Sequence, residues 1–147
     1  MLTNEFIKAS GALRVVVTGP DGQVKEDRSF ANLVVTVGKN FVASRIVGTS
    51  DNVMSHMAIG SGTTAAAAGD TTLQSELARV ALGSSAATLN TVVYAATFLA
   101  GTGTGAVTEA GVFNAASSGT LLCRTVFSVV NKGALDSMSI TWTITIS

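Results

Sequence analysis

The sequence predicts an all-β fold, a β-sandwich of the jelly-roll type with one or two short helices in its connections. Three observations predict this fold class. Residues 137–147 alternate strictly between large apolar and hydroxyl side chains. Elsewhere Val, Ile and Thr fill many of the apolar positions, whereas the long Leu, Glu and Lys periodicity of a helix bundle is missing. Fifteen glycines and one proline divide the chain into short segments, as expected for strands joined by turns.

Residues 137–147 form the clearest strand. Their large apolar side chains are Met138, Ile140, Trp142, Ile144 and Ile146, and Ser or Thr occupies every position between them. Period two places successive side chains on opposite faces of a strand, so one face carries all the apolar groups. A strand this one-sided needs antiparallel partners and a second layer over its apolar face. The sequence therefore predicts that these five side chains face the core of the sandwich.

Composition sets the class and the domain count. With 47% hydrophobic and 12% charged residues, the chain is too apolar for disorder and long enough for one domain, residues 1–147. Nine basic and nine acidic side chains cancel, which argues against a nucleic-acid surface. No apolar stretch reaches the roughly 18 residues of a membrane span, and residues 1–10 hold no signal-peptide core. We expect a protein made and folded in a cytoplasm that binds neither nucleic acid nor membrane.

The first third is predicted to contain three strands, at residues 12–18, 23–30 and 33–37. The best helix of the chain is predicted to follow them at residues 39–47. Residues 19–22, Gly-Pro-Asp-Gly, form the first turn, because proline presets the backbone and Gly22 accepts a positive φ. The charged run 25–28 is interpreted as a solvated edge, a usual guard against unwanted strand pairing. Gly48 follows the helix where a left-handed cap residue belongs.

The middle of the chain is predicted to contain strands at residues 53–59, from residue 80, and at residues 88–99. Residues 63–69 include four consecutive alanines and no large side chain, so they are predicted to form a surface loop. Thr71 and Gln74 match a capping box, which predicts a short helix with Leu73 above Leu77. Both faces of the last of these strands are largely apolar, which indicates a central strand or one covered by another subunit.

The last four strands are predicted to form a near-continuous meander. Residues 101–105, Gly-Thr-Gly-Thr-Gly, are interpreted as a hairpin connection that leads into a strand at residues 106–115. Residues 117–119 turn the chain into a strand at residues 120–130, which the closing strand follows. The total is about eight or nine strands, and a jelly roll is the commonest way to close eight.

The residues that carry chemistry are too few and too scattered for an active site. His56 is the only histidine and is interpreted as a structural or interface side chain, because a general base needs a partner and a cleft. Cys123, expected on one face with Leu121 and Phe127, is interpreted as a buried, inert thiol. One thiol and one histidine cannot make a zinc site. We therefore expect no enzyme, no cofactor and no metal, and we assign no catalytic, cofactor-binding or metal-binding residue.

Three further features receive structural interpretations. Residues 60–64, Gly-Ser-Gly-Thr-Thr, lack the Gly-Lys-Ser/Thr ending of a phosphate loop, so their glycines are interpreted as turn formers. Glu76 and Arg79 are three apart, which predicts an ion pair on the short helix; a role for Arg79 between subunits is the alternative. Glu109 is expected to accept hydrogen bonds from loop amides or to pair with an arginine such as Arg124.

Several stretches resemble a recurring pattern in small structural proteins of tailed bacteriophages. They are residues 57–64 (MAIGSGTT), 69–79 (GDTTLQSELAR), 107–114 (VTEAGVFN) and 140–144 (ITWTI). The resemblance extends over about two-thirds of the chain. It is strongest to the jelly-roll cement, or decoration, proteins that bind the outside of a capsid. Similar stretches also occur in phage tail and fibre-associated proteins.

The resemblance implies a virion protein on the capsid exterior. A cement protein binds the major capsid protein and bridges neighbouring capsomers, which opposes their separation when packaged DNA pressurises the shell. A symmetric oligomer would match a symmetric site, with a dimer favoured over a trimer because isologous pairs are the commonest assembly. Residues 1–10, with Leu2, Phe6 and Ile7, either form an arm that reaches over a neighbour or begin the first edge strand.

Two other classes of function are weighed against the cement protein. One is a tail or fibre-associated module that attaches to the host or binds carbohydrate. Sugar sites usually expose aromatic side chains, and this chain has only one Trp, one Tyr and six Phe, with Trp142 expected in the core. The other class is an enzyme, which the scattered titratable groups disfavour.

Overall fold

The computed structural model describes residues 5–147 and confirms the all-β class. The described chain has nine strands and one helix. In chain order they are β1 (Ala9–Thr18), β2 (Val24–Val34), α1 (Thr36–Ile46), β3 (His56–Gly60), β4 (Glu76–Ala81), β5 (Ser84–Thr88), β6 (Thr91–Phe98), β7 (Gly105–Phe113), β8 (Leu121–Lys132) and β9 (Ser137–Ile146).

All nine strands belong to one antiparallel sheet, in the order β4-β3-β7-β8-β2-β1-β9-β6-β5. The sheet curls, so that two halves pack face to face. We call strands β1, β2, β5, β6 and β9 the β9 half, and strands β3, β4, β7 and β8 the β7 half. Buried side chains from both halves form one core cluster. This arrangement confirms the predicted sandwich.

The two edge strands of the sheet follow each other in the chain. Only Leu82 and Gly83 separate β4 from β5. The Leu82 amide donates to the carbonyl of Ser55, beside β3, and the Gly83 amide donates to the carbonyl of Ala95 in β6. The chain therefore passes from one half to the other at a sharp corner, and the sheet curls as a result.

The closing strand behaves as the alternation predicts. Met138, Ile140 and Trp142 are fully buried, Ile144 is nearly so, and Ile146 is partly buried against the same core. Trp142 lies between its cross-strand partners Leu13 of β1 and Tyr94 of β6. Burial raises the pKa of Tyr94 to about 12.

The junction between the two halves is short. Strands β2 and β8 pair only at Leu33 with Arg124 and at Val34 with Cys123. Beyond that point, one nitrogen of the Arg28 guanidinium donates to the carbonyls of Ser128 and Val129, at 2.7 and 2.6 Å. The charged run 25–28 therefore lies along a locally open part of β2, although β2 is an interior strand of the sheet.

The N-terminal residues and the helix differ from the predicted boundaries. Ala9 and Ser10 belong to β1, which lies between β2 and β9 and is not an edge strand. Phe6 and Ile7 lie before it and are 79% and 82% exposed, and Leu2 lies outside the described residues. The prediction of a separate strand at residues 33–37 is wrong, because β2 continues through Val34 and α1 begins at Thr36. Gly48 has a φ of 65°, which confirms the cap.

Two predictions of strand connection and one of a helix are wrong. Residues 101–105 do not close a hairpin, since β6 pairs with β9 and β5, whereas β7 pairs with β8 and β3. The last four strands are therefore not a meander, although residues 117–119 do close the β7–β8 hairpin. The helix predicted from Thr71 and Gln74 does not form: these residues lie in a loop, and Leu77 lies in β4. Local patterns do not reveal which distant strand will pair.

Candidate functional site

The β7 half is covered on both faces. Its inner face joins the main core, and its outer face carries a second cluster of buried apolar side chains. The cluster consists of Val35, Ala58, Leu73, Phe113 and Leu121, with Val37 packed against it. Leu73 comes from residues 61–75, which connect β3 to β4 and which we call the covering loop. The covering loop therefore closes the outer face of the β7 half.

Glu109 holds the covering loop from below. A register shift between Val107 and Glu109 turns this side chain to the outer face, where it is fully buried. Its Oε1 accepts the amides of Gly62 and Ser75 at 3.0 and 2.7 Å, and its Oε2 accepts the amide of Gln74 at 3.0 Å. One carboxylate thus binds both ends of the covering loop.

Arg124 completes the neutralisation of this carboxylate. Its Nε and Nη2 donate to Glu109 Oε2 at 3.0 and 2.8 Å, and the guanidinium is only 2% exposed. Its Nη1 donates to Asp70 Oδ2 at 2.8 Å, and its Nη2 also donates to the Thr64 carbonyl at 3.0 Å. A buried charge is tolerated only when it is paired and hydrogen-bonded, and both conditions are met here.

Hydrogen bonding controls the ionisation of Glu109. Burial alone would raise its pKa, but the amides of Gln74 and Ser75 and the side chain of Arg124 outweigh that effect, so the pKa of Glu109 lies below its ordinary value. Glu109 is therefore a poor proton acceptor near neutral pH, because its ionised form is the one that the surrounding groups stabilise. The cluster is built for structure and not for proton transfer.

The glycines of residues 60–64 make room for this carboxylate. A Cβ added to Gly60 or Gly62 would lie 2.6 or 2.5 Å from Glu109 Oε1, closer than real contacts allow. Their φ values do not require glycine, so close approach is the reason for these residues. The interpretation of these two glycines as turn formers is therefore wrong. The space that Glu109 needs explains why this segment resembles a glycine-rich phosphate loop.

Gln74 acts inside the loop that was predicted to be a helix. Its Oε1 accepts the amides of Thr63 and Thr64, both at 2.9 Å, and its Nε2 donates to Thr64 Oγ1 at 2.6 Å. The capping-box prediction is therefore wrong: the amides that Gln74 accepts lie ten and eleven residues earlier in the chain, and no helix begins at Thr71. Sequence spacing gave no signal for the contact of Asp70 with Arg124.

Glu76 and Arg79 form the predicted ion pair, at 2.7 Å, on a strand and not on a helix. A register shift between β3 and β4 places both side chains on the outer face, because Glu76 pairs with Gly60 and Arg79 with Ala58. The Arg79 guanidinium lies 3.7 Å from the ring centre of Phe113 and donates to the carbonyls of Ala115 and Ser118. It therefore holds the β7–β8 hairpin turn within the same chain.

The two other chemically distinctive side chains do not meet. His56 Nδ1 lies 2.8 Å from Ser55 Oγ at the start of β3. Cys123 is fully buried in the main core with Phe127, and burial raises the pKa of its thiol. The prediction that Leu121 shares this face is wrong, because a register shift between Leu121 and Cys123 places the Leu121 side chain in the second cluster. Such a thiol is a poor nucleophile, since the thiolate is the reactive form.

A second polar cluster, missed from the sequence, closes the β8–β9 connection. Lys132 is 1% exposed, and its Nζ donates to the carbonyls of Leu99 and Asp136 at 2.9 and 2.7 Å. The Asp136 carboxylate accepts from Lys25 Nζ at 3.0 Å and from the Gly133 amide at 2.8 Å. These contacts with Lys25 and Gly133 lower the pKa of Asp136.

The described surface carries one apolar groove of note. Phe6, Ile7, Ile46 and Val47 are each about four-fifths exposed at the end of the molecule where the N-terminal segment meets α1. Of these four side chains, Ile7 and Ile46 line a groove of about 330 Å³, together with Val42 and Ile146. Within residues 5–147, no three His, Cys, Asp or Glu side chains lie close enough to hold a metal ion. No helix in that range is long and apolar enough to cross a membrane.

Comparisons with protein-family models, curated proteins and solved structures give no match to this chain. No relative therefore assigns a role to the covering loop, to the apolar groove or to the two buried polar clusters. Their roles follow from the contacts described above.

Proposed function

We propose that this chain is a structural protein of a tailed-bacteriophage virion, a cement protein that binds the capsid exterior and bridges capsomers. One observation carries the proposal. The stretches that resemble the phage pattern, residues 57–64, 69–79 and 107–114, lie far apart in sequence and assemble into the single unit of the covering loop and its support. Glu109 of the third stretch accepts amides from the first two, and Arg79 of the second lies over Phe113 of the third.

The covering loop suits a protein whose task is to present a fixed surface. Residues 63–69 expose Thr, Ala and Gly, so little beyond backbone and methyl groups is offered to a partner. The side chains of Gln74 and Asp70 already hold this segment, because they accept the amides of Thr63, Thr64 and Ala67. Binding therefore needs little further ordering of the chain, which lowers its entropic cost.

We propose that residues 63–69 contact the major capsid protein through apolar and backbone groups. A bridge held at two ends gains from effective concentration, so each copy needs only a modest interface to resist the separation of two capsomers. Many copies then share the internal pressure of packaged DNA. The mechanism uses shape and hydrogen bonding, and no step of it requires a titrating side chain.

The proposal is tested on particles stripped of the protein. They are expected to keep their icosahedral shape but to burst at lower temperature or under milder osmotic shock. Adding the purified protein back should restore resistance and saturate at a fixed ratio to the major capsid protein. Because the contacts are mainly uncharged, binding should survive salt concentrations that screen exposed ion pairs. A copy number of only a few per virion would contradict the proposal and favour a tail or fibre protein.

A matched pair of substitutions locates the contact. Ala65→Glu places a charge in the exposed segment of the covering loop, and Ser139→Glu places the same charge on the exposed outer face of β9. Ala65→Glu should weaken binding to stripped particles by about tenfold or more, the effect of roughly 1.4 kcal/mol. Ser139→Glu should bind as the wild type does. Equal binding by both variants would show that the covering loop does not face the capsid.

A further inference from the structure

The two edge strands of the sheet are protected very differently. Strand β4 carries Glu76 and Arg79 and a register shift, which are usual guards against pairing with another chain. Strand β5 has the sequence Ser-Ser-Ala-Ala-Thr, and all five residues are exposed. No charged residue lies between Arg79 and Glu109, so β5 and its neighbour β6 are both uncharged. Strand β5 therefore presents an unguarded row of backbone donors and acceptors.

The register of the β5–β6 hairpin shows which groups point outward. Thr88 pairs with Thr91 across a two-residue connection, and such a closing pair is hydrogen-bonded in both directions. Alternation along an antiparallel strand then directs the amides and carbonyls of Thr88, Ala86 and Ser84 toward β6. The amides and carbonyls of Ser85 and Ala87 point away from the sheet, where the structure gives them no strand partner.

A second observation comes from the tip of the same hairpin. Leu89 is 99% exposed and has a φ of 53°, a backbone conformation that favours glycine or asparagine over leucine. A bulky apolar residue in this conformation has an energetic cost within the isolated chain, and it makes no compensating burial there. Such an outlier points to a function outside the chain.

We infer that β5 pairs antiparallel with β5 of a second copy of this chain, on a twofold axis that passes between the two Ala86 residues. In this register Ser85 of each copy lies opposite Ala87 of the other. The two outward amides of each such pair therefore donate to its two outward carbonyls. Identical uncharged strands meet without like-charge repulsion. The inference depends on strand geometry and exposure, and it does not require the proposed function.

The same register gives Leu89 a partner. Residues equally far from Ala86 on opposite sides face each other, so Leu89 of one copy, three residues after Ala86, lies opposite Gly83 of the other, three residues before it. Gly83 has no side chain, and a Cβ there would meet only the Ala95 carbonyl, at 3.6 Å. The exposed leucine thus lies over the corner between β4 and β5 of the second copy. Two such contacts flank the paired strands and extend a continuous sheet across both subunits.

Cysteine cross-linking tests the register directly. Ala86→Cys should form an intermolecular disulfide under mild oxidation, because the two Cα atoms of a non-hydrogen-bonded pair lie about 4.5 Å apart, within reach of a disulfide. Ser84→Cys is the matched control, since it lies opposite Thr88 and not opposite itself. A cross-linked dimer from Ala86→Cys alone supports the inference. Equal cross-linking of both variants, or of neither, would overturn the register.

Charge at the axis gives an independent test in solution. The wild type should be a dimer by light scattering at micromolar concentration, whereas Ala86→Lys and Ala86→Glu alone should raise the dissociation constant at least tenfold. Their equimolar mixture should recover the dimer, because lysine then faces glutamate. Ser139→Lys should remain dimeric, and circular dichroism should show every variant folded. A monomeric wild type, or dimers that persist in both single variants, would overturn the inference.

Discussion

The two halves of the curled sheet use different chemistry to cover their faces. In the β9 half, apolar side chains such as Leu13, Ile140 and Trp142 fill the inner face, and the outer face is left to water with ion pairs such as Arg14 and Asp27. In the β7 half, the outer face is also covered, and a buried carboxylate and guanidinium, Glu109 and Arg124, hold the cover in place.

The difference separates what burial alone can build from what needs directed contacts. Apolar packing is non-directional, so it suffices where a regular strand faces a core. A loop has many backbone amides and no ladder to satisfy them, so it can be laid over a sheet only if other groups accept those hydrogen bonds. Glu109 and Gln74 supply the acceptors. The β7 half therefore has a loop held in one conformation over its outer face, and this arrangement requires the burial of the charged Glu109 and Arg124 side chains.

The two largest expected effects come from substitutions in different halves of the sheet. The first substitution, in the β9 half, tests the apolar core. Trp142→Ala should cost about 3 to 5 kcal/mol of unfolding free energy, because the side chain is fully buried. Trp142→Phe should cost less than Trp142→Ala, since the buried Nε1 of Trp142 has no hydrogen-bond partner to lose. Chemical denaturation measures both. A loss below roughly 1 kcal/mol in Trp142→Ala would show that this face is not the core.

The second substitution tests the directed contacts of the β7 half. Glu109→Gln should destabilise the protein by about 3 to 5 kcal/mol, because it removes the fully buried counter-charge of the Arg124 guanidinium and leaves it only the partly exposed Asp70. Asp27→Asn is the matched control: Asp27 also accepts two hydrogen bonds from an arginine, Arg14, but in contact with solvent. Its denaturation midpoint should barely move, since water screens the pair. Equal losses in the two variants would break the comparison.

Acid should weaken the protein through its buried or bridging carboxylates. The pKa values of Glu109 and Asp136 are lowered in the folded state. A depressed folded pKa adds stability above the unfolded value, about 4 for these groups, and that stability is lost as the pH falls through the folded pKa. The urea concentration at which half of the protein is unfolded should therefore decrease as the pH is lowered below about 4. In Glu109→Gln this fall should be shallower, and an unchanged slope would assign the acid sensitivity elsewhere.

The smallest expected effect concerns Cys123. Its thiol is buried in an apolar core and its pKa is raised by burial, so Cys123→Ala should cost only about 1 kcal/mol and leave assembly unchanged. A chelator should leave the melting curve of the wild type unchanged. Stoichiometric metal retained through purification would contradict this prediction.

The sequence predicts regular burial well and long-range contacts poorly. Alternation correctly placed Trp142 and its neighbours, because period two is a property of one strand. The role of Glu109 was predicted as a pair of options, loop amides or an arginine, and the structure combines both. Asp70 and Gln74 were beyond prediction, since their partners are fixed by the path of the covering loop. Strand order failed for the same reason: pairing joins segments that no local pattern relates.

Hydrogen exchange on Glu109→Gln tests most directly whether one carboxylate orders the covering loop. The amides of Gly62, Gln74 and Ser75 donate to Glu109, so they should be protected in the wild type and exchange much faster in the variant. The amides of β1 and β9 should keep most of their relative protection. Equal protection of the three loop amides in both proteins would contradict the account, because the loop would then be ordered without the carboxylate.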